Sequence, residues 1–275
     1  MPAAYAHHRF GEACIESLPP KLKAVCTRYR EIFDVGVHGP DVLFYYNPLI
    51  SNKVNRHGSE LHAWTGAQFF QVSRYQYQYI RENKKAMLAY LLGVLAHFTL
   101  DSACHDYINE ETEETEFSHN FIESQYEAFL MKKDGKDPLK VDRSLTLHPT
   151  AKNAEIIARF YPFEREQVLK AMEGQKFCLH LFYSPKERKK GFLRKLLKAL
   201  RIKGDVGDLF VDSTGIPACE QMNEIIFARQ KAAEGLYCKL AKNLVRYLYD
   251  REELDSYFQY DFEGDLHSDD EESCS

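Results

Sequence analysis

The sequence predicts an all-α fold, a single domain built as a bundle of many helices, and three observations carry that prediction. Apolar residues recur three and four apart over runs longer than strands allow, as in Leu22, Val25, Tyr29, Ile32 and Phe33, the spacing that lines one face of a 3.6-residue helix. Only 14 of the 275 residues are glycine, too few for the tight turns of a many-stranded protein. Hydrophobic residues make up 44% and charged residues 28%, with no shift in composition that would divide the chain. One core is therefore expected, over residues 1–260, followed by an acidic tail at 261–275.

In chain order, the first helix is expected over Pro2 to Leu18, because a proline near the start sits where the amide has no partner, and Pro19-Pro20 ends it. Lys21 to Phe33 follows, with Leu22, Val25, Tyr29, Ile32 and Phe33 as its apolar stripe. Gly36, Gly39 and Pro40 then break the pattern, leaving a loop that presents Asp41 either to a buried site or as the cap of a short helix. Ser59 is expected to cap a helix carrying His62 and Trp64, the only tryptophan. The aromatic residues Phe69, Phe70, Tyr75, Tyr77 and Tyr79 are read as packing between helices.

Two central helices lie within Leu91 to Phe129, separated by an acidic linker. A polar connector with Gly135 and Pro138 leads to helices over Thr150 to Tyr161, Glu164 to Phe182 and Pro217 to Tyr249. Between the last two, Lys186 to Lys203 carries nine Lys or Arg against one Glu, with leucines interspersed. That is a basic amphipathic helix, read as a surface helix of the domain, with peripheral contact to an anionic membrane as the alternative. The tail DFEGDLHSDDEESCS has seven carboxylates and no Lys or Arg, and is expected to stay disordered.

The formal charge of −5 is unevenly placed and says little about partners. Seven cysteines without CxxC spacing suggest buried, reduced thiols. No charged n-region precedes an apolar stretch, so a soluble, cytoplasmic protein is expected. Gly-rich phosphate loops and G-x-S-x-G are absent, and the basic segment lacks the aromatic interleaving of a nucleic-acid platform, so nucleic acid is not favoured as a partner. Oligomeric state is not legible.

The chemistry is concentrated on the central helices. His97, Asp101 and His105 recur every four residues, drifting about 80° over two steps, and so line one stripe of a helix. His119 and Glu123 repeat the i, i+4 spacing. Their neighbours, among them Leu92, Val94, Leu95, Phe98, Leu100, Ile122 and Tyr126, are apolar almost all round, the composition of buried helices. Ionisable groups there must pair with one another or hold metal. Adding His7 or His8, Asp41 and His62 gives a set too large for one four-coordinate ion but suited to two or three sharing a carboxylate, for which Asp101 is best placed. Such donors suit zinc, and iron or manganese where carboxylates dominate. Clustered ions of this kind clamp phosphate oxygens and acidify water, which points to phosphoester hydrolysis. A buried, metal-free His–Asp network is the alternative.

The ordered set His7, Gly39-Pro40-Asp41 before aromatics, Gly58 to His62, His97 with Asp101, His105, and His119 with Glu123 resembles the zinc-dependent phospholipase C family. The resemblance implies an all-α bundle around a di- or trinuclear zinc site, a fold shared with zinc-dependent single-strand nucleases. It implies a metal-dependent phosphoester hydrolase, a phospholipase C-like phosphodiesterase using zinc-activated water on a phosphodiester or phospholipid. Asp41, His62, His97 and Asp101 would surround one zinc, His105, His119 and Glu123 a second, and His7 with the bridging Asp101 a third, while Asp41 is the candidate general base. The AHxxFGE run selects His7 over His8. Secreted members complete the third site with a mature N-terminal Trp, where Met1-Pro2 stands here, so that site is weak, absent, or completed by His8 or His38. Two other functions compete: a nuclease or nucleotidase on the same metals, and a non-catalytic metal-binding structural protein.

Overall fold

The computed structural model describes residues 3–183, Gly191, Val211 and residues 215–267. In chain order the helices are α1 (Ala4–Ser17), α2 (Pro20–Arg28), α3 (Arg30–Gly36), α4 (Lys53–His62), α5 (Gly66–Tyr79), α6 (Lys84–Glu114), α7 (His119–Lys133), α8 (Ala151–Ile157), α9 (Arg165–Phe182) and α10 (Glu220–Leu248), with a 3-10 helix at Gly39–Tyr45 between α3 and α4. The all-α expectation holds. Among the described residues only two isolated bridge pairs, Thr65 with Asp261 and Tyr260 with Leu266, have extended pairing.

Helix α6 is the axle. Its 31 residues span about 46 Å at 1.5 Å per residue, and from Ala86 to Ser102 every side chain is buried. Helices α1, α2, α3, α5, α7, α8 and α10 all pack against it, which is why the sequence has no polar face there. By length and composition α6 could cross a membrane, yet 94% of its most apolar window lies inside the protein. The tightest of its crossings is with α3. A Cβ at Gly36 would lie 2.5 Å from the Tyr90 carbonyl, and one at Gly93 2.5 Å from the Phe33 carbonyl, so these backbones touch only because both positions are glycine. That contact lowers the turn after α3, with Asp41 in it, onto the middle of α6.

Several boundaries differ from the sequence reading. The helix expected over Lys21 to Phe33 breaks at Tyr29 (φ −111°, ψ 42°) into α2 and α3, which lets Ile32 and Phe33 turn into the core. Ser59 does not cap a helix. Asn52 does, accepting from the amides of Val54 and Asn55 while the Asn55 side chain bonds the Asn52 amide, and α4 ends at His62, so Trp64 lies in the break before α5. Thr65 caps α5 through Gln68.

The acidic tail is also shorter than expected. Within residues 261–267 Asp261 and Phe262 are buried while Asp265 and Leu266 stay exposed, because Asp261 accepts local hydrogen bonds and lets the aromatic ring insert. Residues 268–275 and the basic segment Lys186 to Lys203, Gly191 apart, lie outside the described residues. The cysteines among the described residues are free, and burial pushes the Cys26 thiol up to about 12.

Candidate metal centre

Four separate pieces of chain deliver side chains to one place beside α6. The helix itself supplies His97, Asp101 and His105 on one buried stripe, as their four-residue spacing predicts. Asp101 is the hub: its Oδ2 lies 3.0 Å from His97 Nε2, and its Oδ1 3.2 Å from His7 Nε2 and 3.8 Å from His105 Nε2. Helix α1 brings His7, whose ring stacks on that of His97 at 4.5 Å. The 3-10 turn brings Asp41 and the end of α4 brings His62, with Asp41 Oδ1 3.0 Å from His62 Nε2. The first turns of α7 bring His119 and Glu123, and Glu123 Oε1 sits 3.5 Å from both His105 Nε2 and His119 Nε2. Asp41 therefore faces the site and does not act as a helix cap.

The donor atoms form three groups able to hold a metal ion, each within 4.8 Å: His7, His97 and Asp101; Asp41, His62 and His97; and His105, His119 and Glu123. All eight residues singled out in the sequence meet here. His8 does not. Its nitrogens face Glu12 at 3.5 Å and Asp34 at 3.9 Å. His38 is buried nearby, where burial pushes its imidazole down to about 3, and it stands outside the three groups. Gly39 shows why glycine precedes Pro40. It has φ +49°, and a Cβ there would enter the His97 ring.

Hydrogen bonds decide which nitrogen faces inward. His62 Nδ1 donates to the Gly58 carbonyl at 2.7 Å, His105 Nδ1 to the Phe262 carbonyl at 3.0 Å, and His119 Nδ1 to Asn109 Oδ1 at 3.1 Å. An oxygen acceptor holds the ring proton on Nδ1, so in a neutral ring Nε2 presents a bare lone pair. In all three that lone pair points at a carboxylate, an arrangement that requires positive charge between them, either a second proton or a metal ion. The donor set itself, imidazole nitrogens and ionised carboxylates converging on common points, fits zinc.

The electrostatics agree. Burial works against charge on Asp101, yet the imidazoles of His97, His105 and His7 hold its carboxyl well below the usual range. Glu123 is held low in the same way against burial, with His119 and His105 contributing. Burial alone would lower the His105 imidazolium, but Asp101 and Glu123 push it up to about 9. The carboxylates are therefore ionised and hold positive charge at the centre.

Sequence reasoning missed the supports. Glu127 is fully buried, accepts from the Tyr5 amide and pairs with Arg143, tying α1 to α7 beside His7. Its spacing of four from Glu123 was the one available signal. Phe262, whose ring lies 5.7 Å from both His97 and His62, had none.

These features define a class, the all-α protein with a multi-group candidate metal centre built on one long buried helix. The model of the zinc dependent phospholipase C family matches residues 6–171, and the chain belongs to that family. The match contains all eight residues of the centre and ends within α9, further along than the resemblance read from His7 to Glu123. No curated protein and no solved structure matches the chain.

Proposed function

We propose that this protein is a metal-dependent phosphoester hydrolase, a phospholipase C-like phosphodiesterase. The observation that carries the reading is that the three donor groups, buried except at His119, are contiguous: His97 belongs to two of them, and Asp101 Oδ1 faces both His7 and His105. Zinc is the cofactor this reading assigns, as two or three ions, with iron or manganese as alternatives that three carboxylates would also accept. Asp41, His62, His97 and Asp101 would hold one ion, His105, His119 and Glu123 a second, and His7 with Asp101 a third. Bound ions of this kind polarise phosphate oxygens and lower the pKa of water.

The chain's own groups supply the rest. Asp101, with its two oxygens turned to different histidines, is placed to be shared between groups. Asp41 Oδ1, kept ionised against burial by neighbours including the His62 and His97 rings, is the proton acceptor for the attacking water. His119 is the most open of the eight, with its side chain 29% exposed, so a substrate phosphate approaches from its end. A phosphodiester or phospholipid headgroup is the substrate class.

The test is metal content per chain of the purified, unchelated protein beside its Asp101→Asn variant, followed by assays on phosphatidylcholine, a small chromogenic phosphodiester and a single-stranded oligonucleotide. Two or three zinc ions, at least one lost in the variant, together with diester cleavage are expected. One ion or none after reconstitution with zinc, iron and manganese would sink the reading. Cleavage of the oligonucleotide alone would make the protein a nuclease, and full metal without turnover on any substrate a structural metalloprotein.

A further inference from the structure

The last described residues, 257–267, form a strap that lies beyond the family match and returns to the ligand-bearing helices. Asp261 pairs with Thr65, and the Phe262 amide donates to the His62 carbonyl at 3.2 Å. Asp261 Oδ1 accepts from the amides of Glu263 and Asp265 at 2.9 Å, closing the turn. Gly264, at φ +90°, rides on α6, where a Cβ would lie 3.1 Å from the Asp106 amide nitrogen and 3.2 Å from the Ser102 carbonyl. The strap is thereby seated one turn past Asp101.

Two of its groups reach the metal-type histidines. The Phe262 carbonyl accepts from His105 Nδ1. Glu263 Oε2 accepts from Asn109 Nδ2 at 3.1 Å and lies 3.9 Å from His105 Nδ1. A carboxylate only accepts, so the Asn109 amide must turn its NH2 towards Glu263, which leaves Oδ1 for His119 Nδ1. An amide oxygen only accepts as well, so the His119 proton sits on Nδ1 and Nε2 is left free towards Glu123. The other rings are held differently: His62 is fixed by Gly58 of its own helix, while Nδ1 of His7 and of His97 has no hydrogen-bond partner among the described residues.

We propose that the strap sets the tautomers of both histidines in the His105, His119 and Glu123 group, His105 directly through the Phe262 carbonyl and His119 through Glu263 and Asn109. Asn109 and Glu263 are thus positioning residues for one donor group of the three. This rests on the metal-centre reading for its consequence but not for its geometry.

The test uses the full chain and two readouts. Nitrogen-15 shifts of the His119 ring in the metal-free protein, followed up in pH until the ring carries a single proton, report which nitrogen holds it. In the wild type the Nδ1–H form is expected. Asn109→Leu, which keeps volume and removes the acceptor, should shift the ring towards Nε2–H, and Asn109→Asp, which keeps an acceptor, should restore Nδ1–H. Zinc titration against a competing chelator should then show one ion weakened tenfold to a hundredfold in Asn109→Leu and in the half-exposed Glu263→Ala, with the remaining ions unchanged and Asn109→Asp recovered. An unaltered tautomer in Asn109→Leu overturns the proposal whatever the metal content. Equal weakening of every ion in Glu263→Ala also overturns it, since the strap would then act only through folding. A wild type that binds no zinc but whose His119 proton moves as described sinks the hydrolase reading and upholds the strap's control of the ring.

Discussion

His97 and His119 stand at opposite ends of one centre and are held by opposite means. His97 is fully buried, wedged between the Gly39 backbone, the stacked His7 ring and Phe262, and its Nδ1 has no hydrogen-bond partner among the described residues. His119 is part-exposed and is aligned through Asn109. Packing fixes where a ring lies but is indifferent to which nitrogen carries the proton. A hydrogen bond fixes the proton and leaves the opposite edge open. On the proposed function, the deep end is suited to a permanently held ion and the shallow end to exchange with a substrate.

Perturbations of the two ends should differ in kind. The largest effect is expected from Asp101→Asn at the hub, which should remove at least one ion and abolish hydrolysis; full metal occupancy in that variant would refute the shared role. Next is Gly39→Ala. A positive φ and a methyl group driven into the His97 ring should cost about 2–4 kcal/mol, read as a lowered urea midpoint. Its metal loss should be confined to the groups containing His97. At the shallow end, His119→Ala should release one ion and cut turnover while leaving the melting temperature of the metal-free protein within a few degrees, because a third of the side chain is already in water; a large stability loss would erase the proposed contrast.

The smallest effect concerns the tie between the ends. Asp134, at the end of α7, accepts from Tyr5 at 2.7 Å and from Arg9 at 2.9 Å, both on α1. Burial alone would raise its carboxyl, but these donors hold it below its ordinary value. A lowered folded pKa means stability that is present above the unfolded value near pH 4 and lost as pH falls through the lower folded one. Asp134→Asn should flatten that acid limb of the melting profile, by under about 1 kcal/mol since the pair is largely solvated.

The same contrast separates what could be read in the sequence from what could not. The stripe of His97, Asp101 and His105 was legible because a helix converts a spacing of four into a shared face, and burial of nearly every neighbour followed from their apolar character. His7 or His8, Asp41 and His62 could be added as candidates by residue type, but only the order of the family's motifs chose His7 and joined the three, since no periodicity links three separate segments. The strap was hidden for two reasons. Its working atom is the carbonyl of Phe262, which every residue type possesses, and its carboxylates are used in local turns where composition alone signals solvent. Asn52 outcompeted Ser59 as a cap because it gains a reciprocal bond from Asn55, a pairing that is visible in the sequence only once the helix start is known. Glu127 was hidden for a similar reason. A glutamate that is fully buried against Arg143 looks in the sequence like any surface residue of a helix.

Synthesis imposes an order on this centre. His105 and the carbonyl that accepts its hydrogen bond are 157 residues apart in the chain, so at about 5–20 residues per second the ribosome delivers the acceptor roughly 8–30 s after the histidine. Every side chain of the centre has left the ribosome before the strap exists. The deep end can assemble from the first half of the chain, whereas, on the proposed role of the strap, the shallow end is completed only when residues 262 and 263 arrive.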